Sequence, residues 1–74
     1  MKKAVEIGVV KLANTENGII SVYKIEEPYG EGSKPVVSIG ISLSGDKSNP
    51  DWKAHIPYEN LDQLIELLQK AKSI

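Results

Sequence analysis

The C-terminal third of the chain carries a periodic apolar pattern that constrains the fold more than any other segment. Apolar residues recur there at intervals of three and four positions, at Leu61, Leu64, Ile65, Leu68 and Ala71. On an α-helix of about 3.6 residues per turn this spacing places them along one side, so the sequence predicts an amphipathic helix over residues 58–72. The apolar side of such a helix is expected to lie against another apolar surface.

Four segments that precede the helix have the composition of β-strands, at about 4–12, 19–26, 36–43 and 51–56. The third is the clearest, because Val37, Ile39 and Ile41 alternate with serine and glycine. We therefore predict a single small α+β domain over residues 1–74. A four-stranded, mainly antiparallel sheet in the order β-β-β-β-α precedes the C-terminal amphipathic helix.

The connections between these elements give further expectations. Asn17-Gly18 is typical of a tight turn, since both residues accept positive φ, and it predicts that the first two strands pair antiparallel. The apolar register shifts at Val9-Val10, which predicts a bulge there. The glycine-rich segment 27–35 is predicted to be a flexible connection. Asn60 and Gln63 have the spacing of a helix capping box.

The predicted core lies on one face of the sheet. Its members are Val5, Ile7, Val37, Ile39, Ile41, Trp52, Ala54 and Ile56, with the single tryptophan as the anchor. The helix either packs on this face or forms a dimer beside it. The pattern leaves two orientations open for the second strand, with either Ile20 and Val22 or Ile19, Tyr23 and Ile25 turned inward.

The opposite face of the third strand carries only the small residues Ser38, Gly40 and Ser42. Small residues on a strand let another group approach the backbone closely. With Lys53 and His55 of the fourth strand they predict a shallow, weakly basic platform. Three interpretations are open: a binding platform, a contact surface in a dimer, or a surface with no binding role.

The composition argues against several classes of function. All nine basic residues are lysine, and with ten Asp and Glu residues the formal net charge is −1. Arginine supplies the bidentate fork that grips phosphates and guanine edges, so its absence argues against strong duplex-DNA binding. The chain has no cysteine, so no disulfide or thiolate metal site supports the small core. Dimerisation is the remaining means of stabilisation, and we predict a homodimer.

No constellation of residues predicts catalysis. His55 is the single histidine, and its place on a strand favours an ordinary solvent-facing side chain over a metal ligand. None of the serines stands in the strand-to-helix elbow of nucleophilic enzymes. The segments 29–34 and 44–48 combine glycine with lysine but lack the spacing of a phosphate-binding loop. We therefore predict a protein that is not an enzyme, with no catalytic residues, no metal site and no cofactor.

The sequence also predicts no contact with a membrane. The lysines of the N-terminus are followed by Ala4-Val5-Glu6, which lacks the uninterrupted apolar run of a signal peptide. No stretch approaches the roughly 18 apolar residues that a membrane-spanning helix needs. We expect a cytoplasmic protein.

Lysine and tyrosine side chains are the candidates for ligand binding. Those expected to contact phosphates are Lys11, Lys24, Lys34 and Lys53, and those expected to stack on bases are Tyr23 and Tyr29. These residues predict a non-catalytic, single-stranded nucleic-acid-binding domain. The alternative is a protein-interaction or homodimeric assembly module that binds no nucleic acid and docks its partner through the small-residue face or a sheet edge.

The order of four strands and one C-terminal helix, with the run from Trp52 to Leu61 joining the last strand to the helix, resembles a known family. It is similar to the single-stranded-DNA-binding fold of the positive cofactor four family. Lys53, Ile56 and the helix pattern match that family's basic Lys-Gly-Ile-Ser/Thr-Leu strand and the helix after it. The resemblance implies a dimer formed largely through the helices and a curved sheet that grips the sugar-phosphate backbone, with Lys53 carried across. It also implies a regulatory role in transcription, replication or repair.

Overall fold

A computed structural model describes residues 3–74 and shows an antiparallel sheet followed by a helix, which confirms the predicted α+β class. The sheet has four strands in the order β1-β2-β3-β4 within the described residues. The strands are β1 (Lys3–Lys11), β2 (Ile19–Glu26), β3 (Val36–Ser42) and β4 (Trp52–Pro57). A 3-10 turn (Tyr58–Asn60) leads into α1 (Leu61–Lys72). The predicted element ends are correct to about one residue, and the predicted helix start at residue 58 is the start of the 3-10 turn.

The strand register divides the sheet into two faces, because directly paired residues of antiparallel strands lie on the same face. On one face Ser38 pairs with Tyr23 and His55, and Gly40 pairs with Ser21 and Lys53. We call this the small-residue face. The other, the apolar face, carries Ile20, Val22, Val37, Ile39, Ile41, Trp52, Ala54 and Ile56. The orientation of β2 that the sequence left open is therefore settled. Ile20 and Val22 lie on the apolar face, and Ile19, Tyr23 and Ile25 lie on the small-residue face, where Ile25 is buried at 7% exposure.

The small-residue face is the better covered of the two. Ser21, Ser38 and Ser42 are almost completely buried, with Ser42 only 1% exposed. A Cβ atom placed on Gly40 would lie 3.3 Å from Cβ of Pro50, in the β3–β4 connection. The predicted close approach of another group to β3 is confirmed at Gly40, and that group is the chain's own connecting loop.

Hydrogen bonds within the β3–β4 connection hold it over the sheet. The Ser42 hydroxyl accepts a bond from the backbone N–H of Asp46 (3.0 Å), and the Asp51 carboxylate accepts one from the N–H of Leu43 (2.8 Å). Gly45 of this loop has a φ of +86° and packs against the β1–β2 connection. A Cβ placed on Gly45 would lie 2.8 Å from the carbonyl oxygen of Asn17. The loop therefore extends from β4 to the β1–β2 connection.

The β1–β2 hairpin forms as predicted, but Asn17-Gly18 is not its tight turn. The connection is closed by a bond from the N–H of Leu12 to the carbonyl of Gly18 (2.9 Å). Asn14 takes the positive φ of 67°. The Thr15 hydroxyl donates to the Leu12 carbonyl (2.7 Å) and accepts from the Gly18 N–H (3.0 Å), so one side chain satisfies backbone groups that a two-residue turn would pair directly.

The predicted position of the bulge in β1 is wrong. The bulge lies at Ile7, between Glu6 and Gly8, and not at Val9-Val10. It was missed because the alternation of Val5, Ile7 and Val9 reads as regular across the inserted residue.

The segment 27–35 was predicted to be flexible, but its own hydrogen bonds order it. The Glu27 carboxylate accepts a bond from the Gly32 N–H (2.9 Å), and the Ser33 hydroxyl accepts one from the Tyr29 N–H (3.2 Å). Pro28, between them in the chain, is buried. The connection is therefore a compact loop.

The helix does not cover the apolar face of its own chain, so the predicted core is wrong for a single chain. No side chain of Leu61–Lys72 is buried, and Leu68 is 58% exposed. Val5, Ile7 and Trp52, predicted core members, are also exposed, with Trp52 at 59%. The chain passes from an extended Pro57 through the 3-10 turn and enters α1 without folding back over the sheet. The side chain of Asn60 makes no cap hydrogen bond, so the predicted capping box does not form.

Candidate nucleic-acid interface

The small-residue face contains an open trough of about 300 Å³ beside the β3–β4 loop. Its floor is formed by the small residues Ser21, Ser38 and Gly40, and its polar walls by Tyr23, Lys47 and Lys53. We call this group of six residues the trough. Short side chains on two central strands create the depression, and the loop that packs on Gly40 supplies one wall. The trough thus presents two ammonium groups and a phenol hydroxyl above a floor of serine and glycine, and the apolar residues Ala4, Ile25 and Pro50 also line it.

Two of the six predicted ligand-binding residues, Tyr23 and Lys53, line the trough. Lys11 lies on the same face, since it pairs with Ile19, which in turn pairs with Ser42. Lys11 is exposed at the end of the edge strand β1. The sheet therefore brings three of the predicted residues to one face.

Lys24 does not join them. It pairs with Val5 and Val37, which places it on the apolar face. Its Nζ atom lies 5.8 Å from the centre of the Tyr58 ring, a cation–π distance. Lys24 therefore lies on the opposite face of the sheet from Lys53 and outside the trough.

Tyr29 and Lys34 lie together in a second cleft of about 320 Å³, between the β2–β3 loop and the end of β4. Its lining is mainly apolar, and Pro57, Tyr58 and Glu59 form its other side. The Tyr29 ring is 74% exposed, and its centre lies 6.2 Å from that of the His55 ring on the small-residue face. Tyr29 is therefore near the trough, whereas Lys34 belongs to the second cleft.

His55 is not the ordinary solvent-facing side chain that the sequence predicted. It is half-buried beside Tyr29, and its Nε2 atom is buried without a hydrogen-bond partner among residues 3–74. The part of the chain that the structure describes holds no cluster of three His, Cys, Asp or Glu residues able to bind a metal ion. Within residues 3–74, no helix is long and apolar enough to span a membrane.

Sequence reasoning missed Lys47 and Glu6. Nζ of Lys47 lies 2.6 Å from Oε1 of Glu6, and the Tyr23 hydroxyl donates to the same oxygen at 3.2 Å. The hydrogen bond from Lys47 lowers the pKa of Glu6, and the same bond raises the pKa of Lys47. The two ion-pair partners are 41 residues apart in the chain, and no local pattern indicates that the β3–β4 loop brings them together.

A scan against protein-family models gives no match, and comparisons with curated proteins and with solved structures give no significant match either. The resemblance to the positive cofactor four family, carried by Lys53, Ile56 and the helix pattern, therefore stays a prediction.

Proposed function

We propose that this protein is a non-catalytic binding domain for single-stranded nucleic acid and that the trough is its binding site. The observation that carries the proposal is the placement of Tyr23 and Lys53 on opposite sides of a floor made of serine and glycine. Lysine neutralises phosphates and a tyrosine ring stacks on any base. The floor between them is itself almost completely buried, so the walls of the trough make these contacts. None of these groups reads a base edge with the bidentate geometry of arginine, so the binding is expected to tolerate many sequences.

The charge distribution sets the expected salt dependence. Lys53 and Lys11 are the lysines of this face outside the Glu6 ion pair, and both are exposed. For single strands, the slope of log K against log salt is about −0.7 for each phosphate contacted, so two contacts give a slope of about −1.4. A fourfold rise in salt then weakens binding roughly sevenfold. The affinity is modest, in keeping with a net charge of −1.

A second candidate, a homodimeric assembly module, is favoured by a different observation. The apolar face and the apolar side of α1 belong to the same chain, yet neither covers the other. A 12-residue helix is about 18 Å long, close to the length of a six-residue strand, so α1 of one chain matches the apolar face of a second copy in size. We propose a homodimer in which these surfaces are buried. The dimer is compatible with nucleic-acid binding, because the trough lies on the other face.

The two candidate functions differ in what the domain binds, which is single-stranded nucleic acid in the first and a second copy of the chain in the other. Fluorescence anisotropy with labelled oligothymidine and with a duplex of equal length, at about 50 and 200 mM salt, separates them. Salt-sensitive binding that favours the single strand supports the nucleic-acid function. The absence of binding at the lower salt concentration, together with a dimeric size in solution, supports an assembly module instead. With single-strand binding, the proposed role is regulatory, as the family resemblance implies, and the proposed location is the cytoplasm.

A further inference from the structure

Glu6 already occupies the donors that the trough offers to an anion. Its Oε1 atom accepts a hydrogen bond from Lys47 at 2.6 Å and another from the Tyr23 hydroxyl at 3.2 Å. The two donors come from separate parts of the fold, β2 and the β3–β4 loop, and both line the trough. One carboxylate oxygen therefore stands where two independent donors converge.

An ammonium group and a hydroxyl that converge on a carboxylate oxygen can donate to a phosphate oxygen in the same way, and the bond from the ammonium group is charge-assisted. Lys47 lowers the pKa of Glu6, and Glu6 raises the pKa of Lys47. Both groups are therefore charged at neutral pH. Both side chains are nearly half exposed, at 43% for Glu6 and 46% for Lys47. Solvent and ligand therefore reach the pair, and exposed ion pairs exchange partners at low cost.

We propose that Lys47 and Tyr23 form a phosphate subsite and that Glu6 fills it in the unliganded protein as a built-in competitor. This inference rests on the proposed function and deepens it, because it names one phosphate position in the trough. A bound strand places a phosphate oxygen at the position of Glu6 Oε1, and the carboxylate turns away to solvent. Only ligands that supply a charged oxygen at this point compensate for the loss of the Glu6 ion pair.

The competing interpretation is that the Glu6–Lys47 pair only fastens the β3–β4 loop to β1. The two interpretations predict opposite effects for Glu6→Gln. Glutamine keeps an oxygen that can accept from Lys47 and Tyr23 but carries no negative charge, so a competitor weakened in this way yields the site to phosphate more readily and phosphate binding strengthens. If the ion pair only holds the β3–β4 loop against β1, its loss makes this wall of the trough less ordered, so phosphate binding weakens or stays the same.

The test compares Glu6→Gln with Glu26→Gln, which changes the net charge equally. Glu26 ends β2 and follows Ile25, a residue of the small-residue face, so it lies on the opposite face. With oligothymidine at about 50 mM salt, we expect Glu6→Gln to bind roughly three- to tenfold more tightly. In the parent, Lys47 exchanges one anionic partner for another when the phosphate displaces Glu6, so this contact adds nothing to the salt slope; in Glu6→Gln it does, and the slope is expected to steepen by about 0.7. Glu26→Gln is expected to change affinity less than about twofold, since screening weakens a distant exposed charge. Glu6→Gln/Lys47→Gln is expected to lose the gain.

A second probe, inorganic tripolyphosphate, keeps the subsite testable if nucleic acid does not bind. In Glu6→Gln it is expected to shift the NMR signals of Lys47 and Tyr23 at concentrations that leave Glu26→Gln unchanged. If tripolyphosphate does so while oligothymidine fails with every variant, the subsite stands and the nucleic-acid function falls. Equal affinities of Glu6→Gln and Glu26→Gln for both probes overturn the subsite. If Glu6→Gln melts at a different temperature from the parent, its stability has changed along with its charge. Glu6→Ser, which also removes the carboxylate, then replaces Glu6→Gln in the test.

Discussion

Lys47 and Glu6 form an ion pair with an Nζ–Oε1 distance of 2.6 Å that ties the β3–β4 loop to the edge strand β1. The loop also packs on Gly40 through Pro50 and lies against the carbonyl of Asn17 through Gly45. A connection that begins on β3 and ends on β4 thus reaches the centre of β3, the β1–β2 connection and the edge strand β1. The trough exists because this loop forms one wall.

The ion pair predicts a specific pH dependence. The hydrogen bond from Lys47 holds the pKa of Glu6 below its ordinary value of 4.5, so the stability it contributes is present above that pH and is lost as the pH falls through the folded-state pKa. The pKa of Lys47 is raised above 10.5 by the same partner, so its contribution is present below that pH and is lost as the pH rises through the folded-state value.

An NMR titration of the Glu6 carboxyl carbon measures the acid limb of this dependence. We expect its pKa to lie below 4.5 in the parent protein and to return towards 4.5 in Lys47→Gln. Lys24→Gln, on the opposite face, is the control and is expected to leave the pKa of Glu6 unchanged. A Glu6 pKa that is the same in all three proteins would show that the ion pair does not persist in solution.

Gly40 is expected to tolerate no large side chain. A Cβ at this position would lie 3.1 Å from the Ser21 hydroxyl oxygen and 3.3 Å from Cβ of Pro50, so the branched side chain of Gly40→Val forces the β3–β4 loop away from the sheet. We expect a loss of about 1–3 kcal/mol in the free energy of unfolding, as for other overpacked sites, measured by urea denaturation.

Gly8→Val is the matched control for Gly40→Val. A Cβ placed there meets no atom within 4 Å, and the position lies on the exposed strand β1. Its free energy of unfolding is expected to change by less than about 0.5 kcal/mol. If the two substitutions have equal effects, the packing of Pro50 on Gly40 is not what holds the loop.

The apolar side of α1 predicts that dimerisation depends on Leu68. This side chain is 58% exposed in the single chain. Its burial in a dimer stabilises by about 1.5–3 kcal/mol per copy, and a twofold dimer contains it twice. Leu68→Glu is therefore expected to weaken the dimer by roughly 100-fold or more.

Analytical ultracentrifugation of the 8.1 kDa chain measures this change directly. Gln63→Glu adds the same charge on the opposite side of α1 and is expected to leave the dimer intact. A parent protein that sediments as a monomer at about 100 µM, a concentration well above the Kd of most stable dimers, would refute the proposed interface.

The sequence was sufficient for the elements and for the two faces of β3 and β4, whereas it left the orientation of β2 open and misplaced the bulge in β1. The alternation of Val37, Ile39 and Ile41 with small residues is a local pattern, and local patterns determine strand positions and the side on which each residue lies. The helix was equally predictable from its apolar spacing. That spacing indicates that the apolar side of the helix is buried, but it does not show whether the surface that covers it belongs to the same chain or to a second copy. The predicted core, which placed the helix on the sheet of its own chain, was therefore wrong.

The site was predictable only in part for a related reason. Tyr23 and Lys53 follow from strand register, since β2, β3 and β4 are neighbours and their residues pair in order. The position of Lys47 depends instead on the path of a loop, which hydrogen bonds of Ser42 and Asp51 determine. Such side-chain bonds leave no periodic signal, and the pairing of Glu6 with Lys47 was invisible before the fold was known.

We expect the trough, and not lysine in general, to bind a single strand of nucleic acid. The most direct test compares Lys53→Gln with Lys24→Gln, which remove the same charge from opposite faces of the sheet. In anisotropy titrations with oligothymidine at about 50 mM salt, Lys53→Gln is expected to weaken binding several-fold and to reduce the salt slope by about 0.7, whereas Lys24→Gln keeps the parent slope. Equal losses in the two variants, or none in Lys53→Gln, would contradict the assignment of the binding site to the trough.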